Sequence, residues 1–314
     1  SHARFSGTKS HRLPGPTGKA AWRRLFWRPV LTNIVKEKPM QKRMFVIFLL
    51  LLTAVTLAAQ SKKLRPGFNL FSREQDVQLG KESAAEVEKK MKVVDSPELQ
   101  AYIGTVGKKL TSSADAGEFP YSFKVVVDKS INAFALPGGP MYIHTGLLAA
   151  ADNESQMAGV MAHEVSHVAL RHGTNQASKQ QMLQLPAMLA SQATGSGGML
   201  GTLSALGINL GANSVLLKFS RGAETEADLL GTRLMHNAGY NPAELANFFR
   251  KLEAEGGNQN KLVEMFMASH PNPGNRVQAV QKEAKSLPSR SYNGETGQFR
   301  NMQALVANVA GKQN

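Results

Sequence analysis

The stretch Met157–Gly173 reads MAGVMAHEVSHVALRHG, and its pattern and length predict one buried helix around which the rest of the chain is organised. His163 and His167 are four positions apart, so a helix places them on one face, about 6 Å apart along its axis. The two imidazoles could therefore bind one small cation together. Glu164 lies between them in sequence and could take a proton from a water at that cation. The stretch thus predicts a zinc hydrolase.

The His-Glu-x-x-His pattern is moderately specific by itself. The chain has eight histidines, and the chance of a random match is on the order of one in a hundred. Its position in an apolar helix strengthens the prediction, because two histidines and a glutamate are costly core residues unless they bind something. The alternative is a pair of core histidines that are satisfied by other polar groups.

A catalytic zinc site needs a third protein ligand and an open position for water. The extended motif HExxHxxGxxH would need a glycine at position 170 and a histidine at position 173, but Leu170 and Gly173 stand there. His172 follows His167 by five residues, which points it well around the helix and makes it a poor third ligand. The chain contains no cysteine, so a carboxylate from another helix is expected to complete the site.

The acidic cluster ETEAD at 224–228 supplies that carboxylate. Glu224 and Asp228 are four positions apart and share one face of a predicted helix. We expect Glu224 to bind the metal and Asp228 to accept an N–H from one of the zinc-bound histidines, which fixes the tautomer of that ring. Glu226 is interpreted as a solvated residue, and a solvated helix face is the alternative for the whole cluster.

The net charge of +14 is unevenly distributed along the chain. Residues 1–59 hold 11 Lys and Arg and a single acid, Glu37. The remaining residues include 26 basic and 22 acidic ones, a net charge of only +4. The basicity therefore belongs to the N-terminal leader, and its distribution argues against a nucleic-acid partner.

The sequence from Met40 onward has the layout of a secretory signal, with a basic start, the apolar run Met44–Leu57 and the small pair Ala58-Ala59. We expect cleavage near Ala59 and therefore an exported protein. The alternative is a membrane anchor formed by residues 44–59. The predicted division of the chain is an upstream extension outside the native protein at 1–39, a signal peptide at 40–59, a linker at 60–71, a zinc hydrolase domain at 72–287 and a C-terminal tail at 288–314.

The remaining patterns predict a mostly helical α+β domain. Helices are expected from Ser72 to about Lys92 and again from Pro97, because start signals precede periodic apolar positions. A small antiparallel sheet is expected beside the metal-binding helix, with strands at 121–127, 131–136 and 141–144. The sheet is either purely structural or a place where an extended peptide pairs with the segment Asn132–Phe134.

One further segment, Gln180–Leu217, contains no charged residue over 38 positions and has six glycines. Polar residues interrupt it so often that no window of 18 or more mainly apolar residues occurs. The prediction is a buried or mobile helical hairpin inserted between two active-site helices. The alternative is a lid over the cleft or an element that makes peripheral contact with a membrane.

Several motifs together resemble the zinc metallopeptidases of family 48, which include the CaaX prenyl protease, a mitochondrial inner-membrane quality-control peptidase and bacterial periplasmic peptidases. The motifs are NAFALPGG, HEVSH, SRGAETEAD, AGYNP and SHPNPGNR, and the resemblance covers roughly Phe68–Ala284. It implies a zincin-like peptidase domain that binds one zinc ion per chain. The implied roles are His163, His167 and Glu224 as zinc ligands, Glu164 as general base, Asp228 as the acid of the ExxxD motif, and His270 and Arg276 as residues near the cleft that touch the metal or stabilise the transition state.

The sequence is most similar to the soluble periplasmic branch of the family, without its helical repeats. The resemblance therefore implies a periplasmic metalloendopeptidase that acts on misfolded or unassembled envelope proteins, with misfolded outer-membrane proteins among its expected substrates. The alternative is a zinc-stabilised chaperone or assembly factor with a plugged peptidase site. If His270 occupies the fourth zinc position, the resting enzyme is latent.

Overall fold

The computed structural model describes residues 63–190, 219–256, 261–270 and 274–311. The predicted upstream extension and signal peptide, and residues 191–217 of the charge-free segment, lie outside these described ranges. Residues 61–314 form one compact unit. Within the described ranges, no helix has the length and apolar character needed to cross a membrane.

The described elements confirm a mostly helical α+β domain. In chain order they are α1 Arg73–Lys90, α2 Pro97–Thr111, a short 3-10 helix at Ala114–Ala116, β1 Ser122–Val126, β2 Ala133–Ala135, β3 Pro140–His144, α3 Thr145–Ala150, α4 Glu154–Ala169, α5 His172–Ala190, α6 Arg221–Ala238, α7 Ala243–Gly256, α8 Lys261–Ser269, α9 Arg276–Ser286 and α10 Phe299–Gly311.

The starts of the first two helices lie where the sequence predicts them. The Ser72 side chain accepts a hydrogen bond from the backbone N–H of Gln75, and the Gln75 side chain accepts one from the backbone N–H of Ser72. This capping box satisfies two N–H groups at the start of α1 that have no partner inside the helix. Helix α2 begins at Pro97, behind an N-cap at Ser96, because proline is well suited to the first helical position.

The three strands form a mixed sheet in the order β1-β3-β2. Strand β2 pairs antiparallel with β3, as predicted, but β1 pairs parallel with β3, so the expectation of an entirely antiparallel sheet is wrong. The loop after β1 is not a hairpin turn, because backbone and side-chain hydrogen bonds join Asp128 to Thr145 and Gly146 beyond the end of β3. The chain therefore crosses β3 before β2 begins, which leaves β2 at the edge of the sheet.

Helix α4 is the centre of the core, and all 16 of its residues are buried. It packs against α2, the sheet, α7 and, most extensively, α6. Gly231 of α6 allows the closest approach, since a Cβ there would lie 3.1 Å from the backbone nitrogen of His163. The two helices that carry the predicted metal ligands are thus held directly against each other.

The predicted helix at 157–173 is interrupted in the structure. Helix α4 ends at Ala169, and Arg171 takes a left-handed conformation with φ of 55°. A non-glycine residue rarely adopts this conformation unless other contacts hold it. The Arg171 guanidinium donates Nε–H to the buried carboxylate of Asp76 at 2.5 Å and Nη2–H to the carbonyl of Phe71 at 2.6 Å. Helix α5 then begins at His172.

The C-terminal region contributes more than the tail expected at 288–314. Residues Phe299, Met302 and Val306 of helix α10 are buried in the main core. Just before this helix, Thr296 donates its backbone N–H to the buried carboxylate of Glu154, in the first turn of α4. The helix was not predicted, because the polar stretch at 288–298 that precedes it is typical of a tail.

Candidate metal and catalytic site

Four buried side chains bring possible metal ligands together. His163 and His167 project from α4, Glu224 lies in the first turn of α6, and His270 follows α8. One ligand atom from each residue lies within 4.8 Å of all the others. The Nε2 atoms of His163 and His167 are 3.0 Å apart, and Nδ1 of His270 is 3.2 Å from Oε1 of Glu224.

This arrangement suits a cation. His163 has its Nδ1 at 2.9 Å from the Asp228 carboxylate, which leaves its Nε2 directed at the ligand cluster. The buried Oε2 of Glu224 lies 3.4 Å from Nε2 of His163 and 3.5 Å from Nη2 of Arg276, and among the described residues it makes no short, well-aligned hydrogen bond. Imidazole nitrogens and a carboxylate oxygen are ligands that zinc prefers in proteins. The four residues could therefore hold a metal ion.

The electrostatics of the cluster also favour positive charge. Burial alone would lower the pKa of His163, but hydrogen bonds to Asp228 and Glu224 outweigh it and raise the pKa to about 9. Burial raises the pKa of Glu224, but hydrogen bonds to His163 and His270 more than reverse this and hold it below its usual range. The carboxylates of Asp228 and Glu224 thus favour a positive charge at this position.

Asp228 and Arg276 form a buried ion pair behind His163. The guanidinium of Arg276 donates Nε–H to Oδ2 of Asp228 at 2.8 Å and Nη2–H to Oδ1 at 2.7 Å. It also lies over the ring of Phe249, 4.0 Å from the ring centroid. Two parallel bonds of this kind orient the carboxylate tightly. Asp228 is thus placed to hold the ring of His163, and Arg276 to hold Asp228.

Glu164 lies on the other side of the cluster, at the edge of the sheet. Its Oε2 accepts the backbone N–H of Ala135 in β2 at 3.2 Å. Its Oε1 lies 3.2 Å from Nε2 of His270, without hydrogen-bond geometry. Burial, together with the charge of Glu224, raises the pKa of Glu164 against the opposing effect of His270 and His163. A carboxylate with a raised pKa is suited to accept and return a proton near neutral pH.

His167 is supported by a different set of groups. Its Nδ1 lies 3.0 Å from Nδ1 of His172, whose Nε2 lies 3.3 Å from the carboxylate of Glu226. The ring of Phe219 stacks on His167 with centroids 4.0 Å apart. Burial, followed by the neighbouring histidines, lowers the pKa of His167 well below 6.5. His172 is outside the ligand cluster, as expected, but its contact with His167 and the pairing of Glu226 were not predicted.

The structure brings every predicted site residue into one connected group. The catalytic and metal-binding roles of these residues remain predictions: His163, His167, Glu224, Glu164, Asp228, His270 and Arg276. His270 is a member of the ligand cluster, and the bonds of Arg276 turn it towards Asp228. The sequence carries no signal for the contact of His172, because it depends on the conformation of a single neighbouring residue, Arg171.

Comparisons with known proteins find similarity to metallopeptidases. The model of peptidase family M48 matches residues 97–284. The chain is 29% identical to the beta-barrel assembly-enhancing protease of Yersinia pestis over 279 residues, which are 82% of this chain and 56% of that protein. It is 35% identical to metalloprotease LoiP of Escherichia coli K12 over 182 residues, 55% of this chain and 68% of that protein. It is 30% identical to mitochondrial metalloendopeptidase OMA1 of Schizosaccharomyces pombe over 195 residues, 62% of this chain and 55% of that protein.

These relatives differ from the chain in length. The chain spans about half the length of the beta-barrel assembly-enhancing proteases that it matches, 56% in Yersinia pestis and 44% in Escherichia coli K12.

Proposed function

We propose that this chain, which belongs to peptidase family M48, is a zinc metalloendopeptidase that hydrolyses peptide bonds in misfolded or unassembled cell-envelope proteins. The observation that carries the proposal is the convergence of His163, His167 and Glu224 within 4.8 Å, with Glu164 beside them. The names of the relatives, a beta-barrel assembly-enhancing protease among them, support the substrate class.

His163 and His167 would hold the zinc through Nε2, and Glu224 through its carboxylate. When bound, zinc polarises a peptide carbonyl and lowers the pKa of a water molecule. The chain's own part is to fix the orientation of the two imidazoles. Asp228 does this for His163 by accepting its Nδ1–H at 2.9 Å.

Glu164 would act as the general base. Its Oε1 takes a proton from the attacking water and later returns it to the leaving nitrogen of the substrate. The hydrogen bond from Ala135 to Oε2 orients the carboxylate during both transfers. The raised pKa of Glu164 makes the proton easier to hold between the two steps.

The edge strand β2 would bind the substrate backbone. Phe134 is paired with Tyr142 of β3, and Leu136 donates its N–H to Pro140. Because backbone groups alternate in direction along a strand, those of Ala133 and Ala135 point away from β3. Because the Ala135 N–H is already bonded to Glu164, an extended peptide would pair with the remaining backbone groups of this edge and lie beside Glu164, in the manner of an added strand.

His270 would restrain the resting enzyme. Its Nδ1 lies 3.2 Å from both Nε2 of His163 and Oε1 of Glu224, so it occupies space that a water or a carbonyl needs. We infer a latent peptidase in which His270 withdraws when substrate binds. The chaperone alternative is not favoured, because the relatives carry protease names and Glu164 is intact.

The compartment that we propose is the periplasm. The signal-like layout of residues 40–59 supports export. N-terminal sequencing of the protein recovered from cells distinguishes the two forms. A start near Gln60 is expected, whereas retention of residues 44–59 would indicate the membrane-anchored alternative.

Casein cleavage by the purified protein tests the activity. Cleavage is expected to stop with a chelator and to return with zinc. The Glu164→Gln variant should keep its zinc but lose activity by at least about 100-fold, and His270→Ala should cleave casein faster than the wild type. Full activity of Glu164→Gln would contradict the mechanism, and activity that survives complete zinc removal would contradict the proposed function.

A further inference from the structure

We propose that His172 is a positioning residue of the metal site, which holds the ligand His167 and is itself held by Glu226. The proposal rests on the zinc site proposed above and adds a second support to it. It assigns a role to two residues that the His-Glu-x-x-His and ExxxD motifs do not include.

The hydrogen bonds from His167 to Glu226 allow one consistent assignment of donors and acceptors. His167 directs Nε2 into the ligand cluster, 3.6 Å from Oε1 of Glu224. A neutral imidazole that gives one nitrogen to a metal carries its proton on the other, so His167 donates Nδ1–H. The acceptor is Nδ1 of His172 at 3.0 Å. His172 must then carry its own proton on Nε2, where Oε2 of Glu226 accepts it at 3.3 Å.

The nitrogen atoms of the His167 ring make their polar contacts in the plane of the ring, and an aromatic side chain covers one face. Phe219 stacks on it at 4.0 Å between centroids, with 26° between the planes. An aromatic ring in this position covers a face of the imidazole without supplying an acceptor for its N–H. Among the described residues, His172 is the hydrogen-bond partner of Nδ1, so the rotation of the His167 ring depends on it.

The break after α4 brings His172 into place. In a continuous helix, residues five apart point about 140° away from each other, and His172 would face away from His167. The left-handed backbone of Arg171 ends α4 and turns the chain, so that His172 folds back and is buried. Arg171 is fixed by Asp76 and by the backbone carbonyl of Phe71. Contacts with α1 and with the segment before it therefore hold the turn in this conformation.

Zinc affinity, measured by competition with a chromophoric chelator, tests the proposal. His172→Phe keeps a planar ring but removes the acceptor, and we expect zinc affinity to fall about 10-fold. His172→Asn retains a polar amide near the position of Nδ1 and should restore most of the affinity. Glu226→Ala alters a half-exposed side chain and should weaken zinc binding in the same direction by a smaller factor.

A matched control is available in His236, which is also buried and is hydrogen-bonded to Tyr292. It lies 12 positions beyond Glu224 on α6, about 18 Å along the helix. His236→Phe should leave zinc affinity unchanged. With cobalt(II) in place of zinc, His172→Phe should also shift the visible absorption bands of the metal, whereas His236→Phe should not.

The outcomes separate the two proposals. If the wild type binds zinc and His172→Phe binds it equally well with the same cobalt spectrum, the positioning role is wrong and the proposed function stands. An equal loss of affinity in His236→Phe would show a general effect of destabilisation and would also overturn the role. A wild type that binds no zinc would refute the metal site itself.

Discussion

His163 and His167 lie one turn apart on α4, yet the groups behind them differ in charge and exposure. Behind His163 is a fully buried carboxylate, Asp228, clamped by the guanidinium of Arg276. Behind His167 is the ring of His172, followed by Glu226, whose side chain is 51% exposed. One ligand is therefore fixed by an ion pair within the core, and the other by a chain of hydrogen bonds that leads to the surface.

The difference predicts how the stability of the domain changes when the acidic group behind each histidine is removed. Removing one member of a buried ion pair leaves the other charged and without compensation, which destabilises the whole domain. Removing a surface carboxylate costs little stability, because water solvates the group that remains. The support of His163 thus couples metal binding to folding, whereas the support of His167 adjusts metal binding with little effect on folding.

The largest effect is expected from Asp228→Ala compared with Glu226→Ala. Loss of Asp228 should weaken zinc binding about 100-fold and lower the free energy of unfolding by about 3–5 kcal/mol, since the buried Arg276 then loses both of its short bonds and keeps only Glu224, at 3.5 Å. Glu226→Ala should leave the free energy of unfolding nearly unchanged. Chelator competition and urea denaturation measure the two quantities. Equal loss of stability in both variants would remove the distinction between the two supports.

The sequence predicted the support of His163 more fully than that of His167. Asp228 could be assigned because it shares a helix face with Glu224, and four-residue spacing within a helix is readable from sequence. The contact of His172 depends on one backbone conformation, at Arg171, that side-chain contacts from α1 and the linker impose. Such long-range contacts leave no local pattern in the sequence.

The sheet and the C-terminal region show the same limit. The strands were found from their composition, but the parallel pairing of β1 with β3 depends on hydrogen bonds between Asp128 and residues beyond β3. The helix at Phe299–Gly311 was missed although eight of its 13 residues are apolar, because the polar stretch before it is typical of a tail. Local periodicity thus predicted most of the elements, while distant partners decided how the elements are arranged.

The pH dependence of zinc affinity should also distinguish His163 from His167. The expected change in affinity is smaller than that of Asp228→Ala. The pKa of His163 is raised to about 9, because hydrogen bonds to Asp228 and Glu224 outweigh the effect of burial. Zinc must then displace a proton from His163 below pH 9, so its affinity should rise by up to about tenfold per pH unit between about pH 6.5 and 9. Burial keeps the pKa of His167 well below 6.5, so His167 adds nothing in this range.

The raised pKa of His163 also determines how the stability of the metal-free protein changes with pH. A protonated His163 stabilises the metal-free protein fully below about pH 6.5, and this contribution is lost as the pH rises through about 9. Calorimetry at pH 7.5 in buffers of different ionisation enthalpy should show about one proton released per zinc from the two histidines. Binding of zinc without proton release at this pH would contradict the raised pKa of His163.

The smallest effect on zinc affinity is expected from Arg171→Gly, which changes the residue at the turn and leaves every histidine in place. Glycine adopts φ of 55° without strain, so the turn itself should persist and zinc affinity should fall by only about two- to threefold. The loss of the ion pair leaves the Asp76 carboxylate buried and alone, so the free energy of unfolding should fall by about 2–4 kcal/mol. The double variant Arg171→Gly with Asp76→Asn removes that charge and should recover part of the stability. A loss of zinc affinity as large as that of His172→Phe would instead show that the Arg171 side chain, and not only its backbone, holds His172 against His167.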